Sequence, residues 1–107
     1  MPAGKAIAQA AHGFLDSFLE CQSQFPEIAN TYREDGHGTK VTLKANLYKI
    51  LKAQDDCLAA QIPCALVTDS GHICPPDFDG SPIITALGIG PATRDQIKHI
   101  TNKFKLY

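Results

Sequence analysis

Cys64-Ala-Leu-Val-Thr68, followed at once by Asp69-Ser-Gly71, is a short, uniformly apolar run that ends in turn-forming residues. That pattern predicts a strand covered on both faces, because alternation disappears when neither face meets water. Ile83–Ile89 (IITALGI) reads the same way. Two such strands need helices on either side, and the surrounding sequence supplies them. From Pro2 to about Gln24, the residues Ile7, Ala11, Phe14, Leu15, Phe18 and Leu19 recur three and four apart, which predicts one apolar helical stripe facing the core. Pro26 interrupts that helix and can open a second short one through Tyr32, which Gly36-His-Gly38 ends. Thr39–Ala45 (TKVTLKA) predicts a strand, with Lys40 and Lys44 on one face. Asn46 is a suitable N-cap for a helix to about Gln61, with Leu47, Ile50, Leu51, Ala53, Cys57 and Leu58 as its stripe. His72 to Pro82 reads as a loop. Gly90-Pro91 leads into a C-terminal helix with proline in its first turn and Ile97, Ile100 and Phe104 on its buried face. The element order predicts an α/β fold: a three-layer α/β/α sandwich around a small mixed sheet.

At 107 residues the chain suffices for a single domain with one core. A hydrophobic fraction of 44% and a charged fraction of 20% are those of a globular protein, and no segment approaches the roughly 18 apolar residues of a membrane span. Gln9, His12 and Asp16 break up the apolar N-terminal stretch, so no secretory signal is expected and the cytoplasm is the expected location. Cys21, Cys57, Cys64 and Cys74 form no C-x-x-C pair and match no zinc-ligand spacing, which predicts reduced, partly buried thiols, no metal site and no cofactor. A net charge of −1 excludes binding of nucleic acid by overall charge, so any such contact requires a local patch.

Several motifs carry a resemblance. Gly4-Lys-Ala-Ile-Ala-Gln-Ala-Ala-His12 resembles the G-K-x-A-A-Q-x-x-H opening of the type 2 peptidyl-tRNA hydrolases, with Lys5, Gln9 and His12 in matching positions. Lys40–Ala45 is similar to that family's K-V-V-V-K-A strand, Asp69-Ser-Gly71 to its D-A-G turn, Thr85–Pro91 to its T-V-L-G-I-G-P segment, and Phe104–Tyr107 to its L-K-L-Y end. Together these cover almost the whole chain in the family's order. Three departures accompany them. The family's opening apolar strand has no counterpart before Gly4, so a longer chain or a second copy in a homodimer is expected to complete the sheet. Ile73 stands where the family has threonine, which removes a hydroxyl and is expected to reduce activity. The segment between Asp69 and Thr85 is a few residues longer.

The resemblance implies hydrolysis of the ester joining peptide to tRNA, with tRNA as partner and neither metal nor cofactor. It implies Lys5, His12, Asp69 and Thr85 as catalytic residues. Lys5 would face Asp69 and steady the oxyanion, and either Asp69 or His12 would act as base. No serine or cysteine lies in a nucleophile motif, which favours direct attack by water. Gln9, Lys40, Lys44 and Gly90 are the expected contacts to substrate and tRNA. Read singly, Lys5 is a solvated helix-terminal lysine, His12 a structural histidine, Asp69 a turn residue and Thr85 a strand residue. Two alternatives stand beside the enzyme: a non-catalytic binding member of the same superfamily, and a hydrolase of another small substrate.

Overall fold

The computed structural model describes residues 2–36, 38–69 and 83–107, and the backbone of residues 73–74 and 78–79. Four helices, α1 (Ala3–Gln24), α2 (Pro26–Glu34), α3 (Leu47–Ala59) and α4 (Arg94–Thr101), surround a ladder of two strands, β1 (Cys64–Asp69) and β4 (Ile83–Ile89). Two-residue strands β2 (Ile73–Cys74) and β3 (Phe78–Asp79) pair within the segment predicted as loop.

β1 and β4 run antiparallel, with Cys64 opposite Ile89 and Asp69 opposite Ile83. Helix α1 packs on one face of this pair, whereas α3 and α4 pack on the other around a core of Ala53, Cys57, Ile62 and Ile100, joined by Cys64, Leu87 and Ile89. The three layers are those expected. Both ladders are antiparallel, so the parallel pairing that a mixed sheet requires is not among the described strands.

The predicted strand at 39–45 is corrected. Its segment is extended but makes only an isolated bridge, Leu43 to Leu106, with backbone bonds from Lys44 N–H to the Lys105 carbonyl and from Tyr107 N–H to the Thr42 carbonyl. Val41 is 53% exposed, so the segment lacks the burial that would drive it into the sheet.

Helix α1 has the predicted extent but not the predicted buried stripe. Its buried residues are Ala6, Gln9, Gly13, Ser17 and Cys21, whereas Ile7 is 71% exposed and Leu15 and Leu19 are also largely open. Size decides the phase. A Cβ built on Gly13 would lie 3.3 Å from the Gly88 nitrogen, and one built on Gly88 would overlap the Gly13 carbonyl, so helix and strand meet backbone to backbone. A stripe of large side chains would hold α1 away from β4.

The second half of the chain follows its sequence more closely. Asn46 Oδ1 accepts a bond from the Lys49 N–H at 2.9 Å and caps α3 as expected. The buried face of α3 narrows to Ala53 and Cys57, leaving Leu47 and Leu58 exposed. Helix α4 starts later than predicted. Thr93, not Pro91, opens it, through a capping box in which Thr93 and Gln96 satisfy each other's backbone N–H groups. Pro91 follows a cis peptide bond after Gly90 and lies ahead of the helix.

Candidate active site

The close approach of α1 to β4 determines where the first turn of the helix lands. Lys5 lies in that turn, and its Nζ reaches Asp69 Oδ2 at the end of β1, at 2.5 Å. Both side chains are 25% exposed. An ion pair this open to solvent contributes at most about 1 kcal/mol to folding, so its importance lies in positioning the two groups rather than in stability. The helix start adds to it: Pro2 provides no side-chain cap, so the first N–H groups of α1 remain a source of positive potential beside the lysine.

Thr85 lies on the next strand, where the register slips. Val67 pairs with Ala86 and Thr68 with Ile84, so Thr85 is the extra residue of a β-bulge. Its hydroxyl donates toward Gln9 Oε1 at 3.2 Å and the Val67 carbonyl at 3.3 Å. A hydroxyl has one proton, which these two acceptors share, and the oxygen retains its lone pairs. Gln9, 9% exposed, is thereby tied to Thr85. Replacing Thr85 with valine is expected to lower unfolding free energy by about 1–3 kcal/mol, because the buried Gln9 amide loses its partner. Urea denaturation checks this, and Thr85→Ser should recover most of the loss.

A shallow groove of about 290 Å³ runs along the junction of α1 and β1, lined by Gln9, His12, Asp16 and residues Leu66 to Asp69. His12 is exposed at this groove. Asp16 was not singled out in the sequence. Its spacing was a usable signal, since positions 9, 12 and 16 share one helical face.

The residues match one family model, that of the peptidyl-tRNA hydrolase PTH2, over residues 1–107. The chain belongs to the PTH2 family. It is similar to the peptidyl-tRNA hydrolase of Methanococcus vannielii, with 36% identity over 109 residues that cover 99% of this chain and 88% of that protein. The peptidyl-tRNA hydrolase of Methanocaldococcus jannaschii is 29% identical, covering 99% and 89% respectively. The probable peptidyl-tRNA hydrolase 2 of Dictyostelium discoideum is 30% identical over all of this chain and 49% of its own length.

In this PTH2 chain, Lys5, Asp69, His12, Gln9 and Thr85 all gather where α1 crosses the two strands. The remaining expected contacts do not join them. The Gly90 N–H donates to the Pro63 carbonyl at 2.8 Å and the residue is buried, so it has no free amide to offer a phosphate. Lys40 and Lys44 are exposed beyond the groove, each over an aromatic ring: Lys40 Nζ lies 5.5 Å from the centre of Tyr32 and Lys44 Nζ 5.9 Å from that of Tyr107. Ile73 has its backbone in β2, and its side chain lies outside the described residues. No described helix is long and apolar enough to cross a membrane.

Proposed function

We propose that this chain hydrolyses the ester bond of peptidyl-tRNA, an N-blocked aminoacyl-tRNA, releasing peptide and free tRNA. The observation that carries the proposal is the Lys5–Asp69 pair at the end of a groove lined by His12. Attack of water on the ester carbonyl places negative charge on its oxygen, and the Lys5 ammonium with the first N–H groups of α1 supplies opposite charge for it. Asp69 holds Lys5 in place or takes the proton of the attacking water, and His12 is the other group able to take it. Collapse of the intermediate breaks the bond to the ribose oxygen, which takes up a proton. Thr85 borders this chemistry with a hydroxyl oriented by Gln9 and Val67. The site uses no metal or cofactor, and a reaction on tRNA places the protein with translation in the cytoplasm.

Release of the acyl group from purified N-acetyl-aminoacyl-tRNA tests the proposal, with Lys5→Ala and Asp69→Ala variants shown to be folded. Turnover that both substitutions abolish supports it. A folded parent that binds the substrate without cleaving it would make this chain a binding module instead.

Lys40 and Lys44 are proposed to meet the tRNA backbone, as exposed cations held by aromatic rings. The double variant Lys40→Ala/Lys44→Ala is expected to raise KM while leaving kcat nearly unchanged. It should also reduce the slope of log affinity against log salt by roughly two, as each lost phosphate contact releases one fewer counterion. Filter binding of tRNA across a salt series measures that slope.

A further inference from the structure

The last residues of the chain lie against the extended segment before α3, and their pairing fixes which side chains share a surface. Leu43 bridges Leu106, the Lys44 N–H donates to the Lys105 carbonyl, and the Tyr107 N–H donates to the Thr42 carbonyl. Those two bonds flank the bridge, so Leu43 and Leu106 face each other on one side of the ribbon. Side chains alternate along extended backbone, which sends Thr42, Lys44, Lys105 and Tyr107 to the other side. Lys44 is then opposite Lys105 and diagonal to Tyr107, in agreement with the 5.9 Å between Lys44 Nζ and the Tyr107 ring centre. All four residues are exposed.

This is a poor arrangement for holding a chain end. Like charges directly opposite on paired strands are destabilising. Neither lysine takes part in the ion pairs among the described residues, which join Lys5, Lys52 and Lys98 to aspartates. On the reverse side Leu106 is 70% exposed, so it offers little burial in return. The pattern suits a ligand better. Two ammoniums rising from backbone positions about 5.5 Å apart can converge on one phosphate. Beside them Tyr107 carries the Lys44 ammonium over its ring and is still 57% exposed, which leaves aromatic surface for a planar partner. A phosphate for the lysines and a flat base for the ring are the two ends of a nucleotide.

We propose that Lys44, Lys105 and Tyr107 bind one unpaired nucleotide of RNA, its phosphate between the two ammoniums and its base stacked on the Tyr107 ring. The choice of RNA rests on the peptidyl-tRNA reading above. With a net charge of −1 the chain draws RNA only through a local patch, and this ribbon provides one. A paired base is covered above and below by its neighbours and shows a protein only its edge, so the ring selects nucleotides outside a duplex.

The test titrates the full chain into a single-stranded RNA hexamer carrying one aminopurine, a base whose fluorescence is quenched when it stacks, and into a blunt duplex of the same sequence. The expected result is quenching of the single strand by the parent, an affinity roughly tenfold lower for Tyr107→Ala, and a near-parental affinity for Tyr107→Phe, because stacking needs the ring and not the hydroxyl. Lys44→Ala/Lys105→Ala is expected to lower the slope of log affinity against log salt by about 0.7, the share of one phosphate in a single strand. Tyr107→Ala should leave that slope unchanged, a split that a merely structural role of the chain end does not produce. Duplex bound as tightly as single strand, quenching indifferent to Tyr107→Ala, or equal losses in Tyr107→Phe and Tyr107→Ala would overturn the proposal. A polyglutamate peptide bound as tightly as the hexamer would overturn it too, by showing a site for charge alone. Turnover of N-acetyl-aminoacyl-tRNA by the same preparation keeps the two readings apart: turnover without quenching sinks only this site, and quenching that depends on Tyr107 without turnover supports the site while the hydrolase reading fails.

Discussion

Lys5→Ala is expected to lower kcat on N-acetyl-aminoacyl-tRNA by two to three orders of magnitude, the usual consequence of removing one donor to a developing oxyanion. Its effect on folding should be small, because the ammonium and its Asp69 partner are both partly solvated. KM should change little, since the charge acts chiefly when the carbonyl oxygen becomes negative. Asp69→Ala should give a loss of similar size, and the double variant should fall little further than either single one, as residues acting as a unit are not additive. Single-turnover kinetics with matched chemical denaturation measures both aspects. A double variant whose loss is the product of the two single losses would show that the residues act separately.

Gly88→Ala is expected to destabilise the protein by about 3 kcal/mol or more, at the upper end of overpacking. The new methyl group would fall on the Gly13 carbonyl, a backbone atom that cannot move without shifting α1. Gly13→Ala makes the telling comparison. Its methyl would lie 3.3 Å from the Gly88 nitrogen, a contact that a shift of a few tenths of an ångström relieves, and alanine favours the helix by about 1 kcal/mol over glycine. The two substitutions look alike in sequence and should differ severalfold in urea midpoint. Any α1 displacement in Gly88→Ala also separates Lys5 from Asp69, so residual activity should fall further than the folded fraction alone explains.

Much of this architecture was legible from residue patterns, and its failures share a cause. The strands at 64–69 and 83–89 announced themselves as short apolar runs between turn formers, and the helices by their period. Period, however, does not set phase. In α1 the larger apolar residues mark one stripe, but the sheet selects the small one because only Gly13 and its neighbours allow contact with Gly88. At 39–45, β propensity was real but burial was missing, and the last helix starts at the capping box of Thr93 rather than at Pro91. In the site, Lys5 and Asp69 were named through the resemblance and the fold joins them. Asp16 was readable from its spacing to Gln9 and His12 on one helical face, but no motif drew attention to it. At Gly90, sequence cannot reveal that the amide already donates to the Pro63 carbonyl.

The bulge in β4 has one more effect. In an unbroken strand, residues three apart face opposite ways. Thr85 and Gly88 are three apart, and yet α1 touches both, the first through Gln9 and the second through Gly13. The extra residue therefore works as a phase shifter, letting one helix read a polar contact and a bare backbone from a single strand. Counting odd and even positions along this segment gives the wrong face for everything before Thr85, so inward and outward residues of this strand must be assigned on either side of the bulge separately.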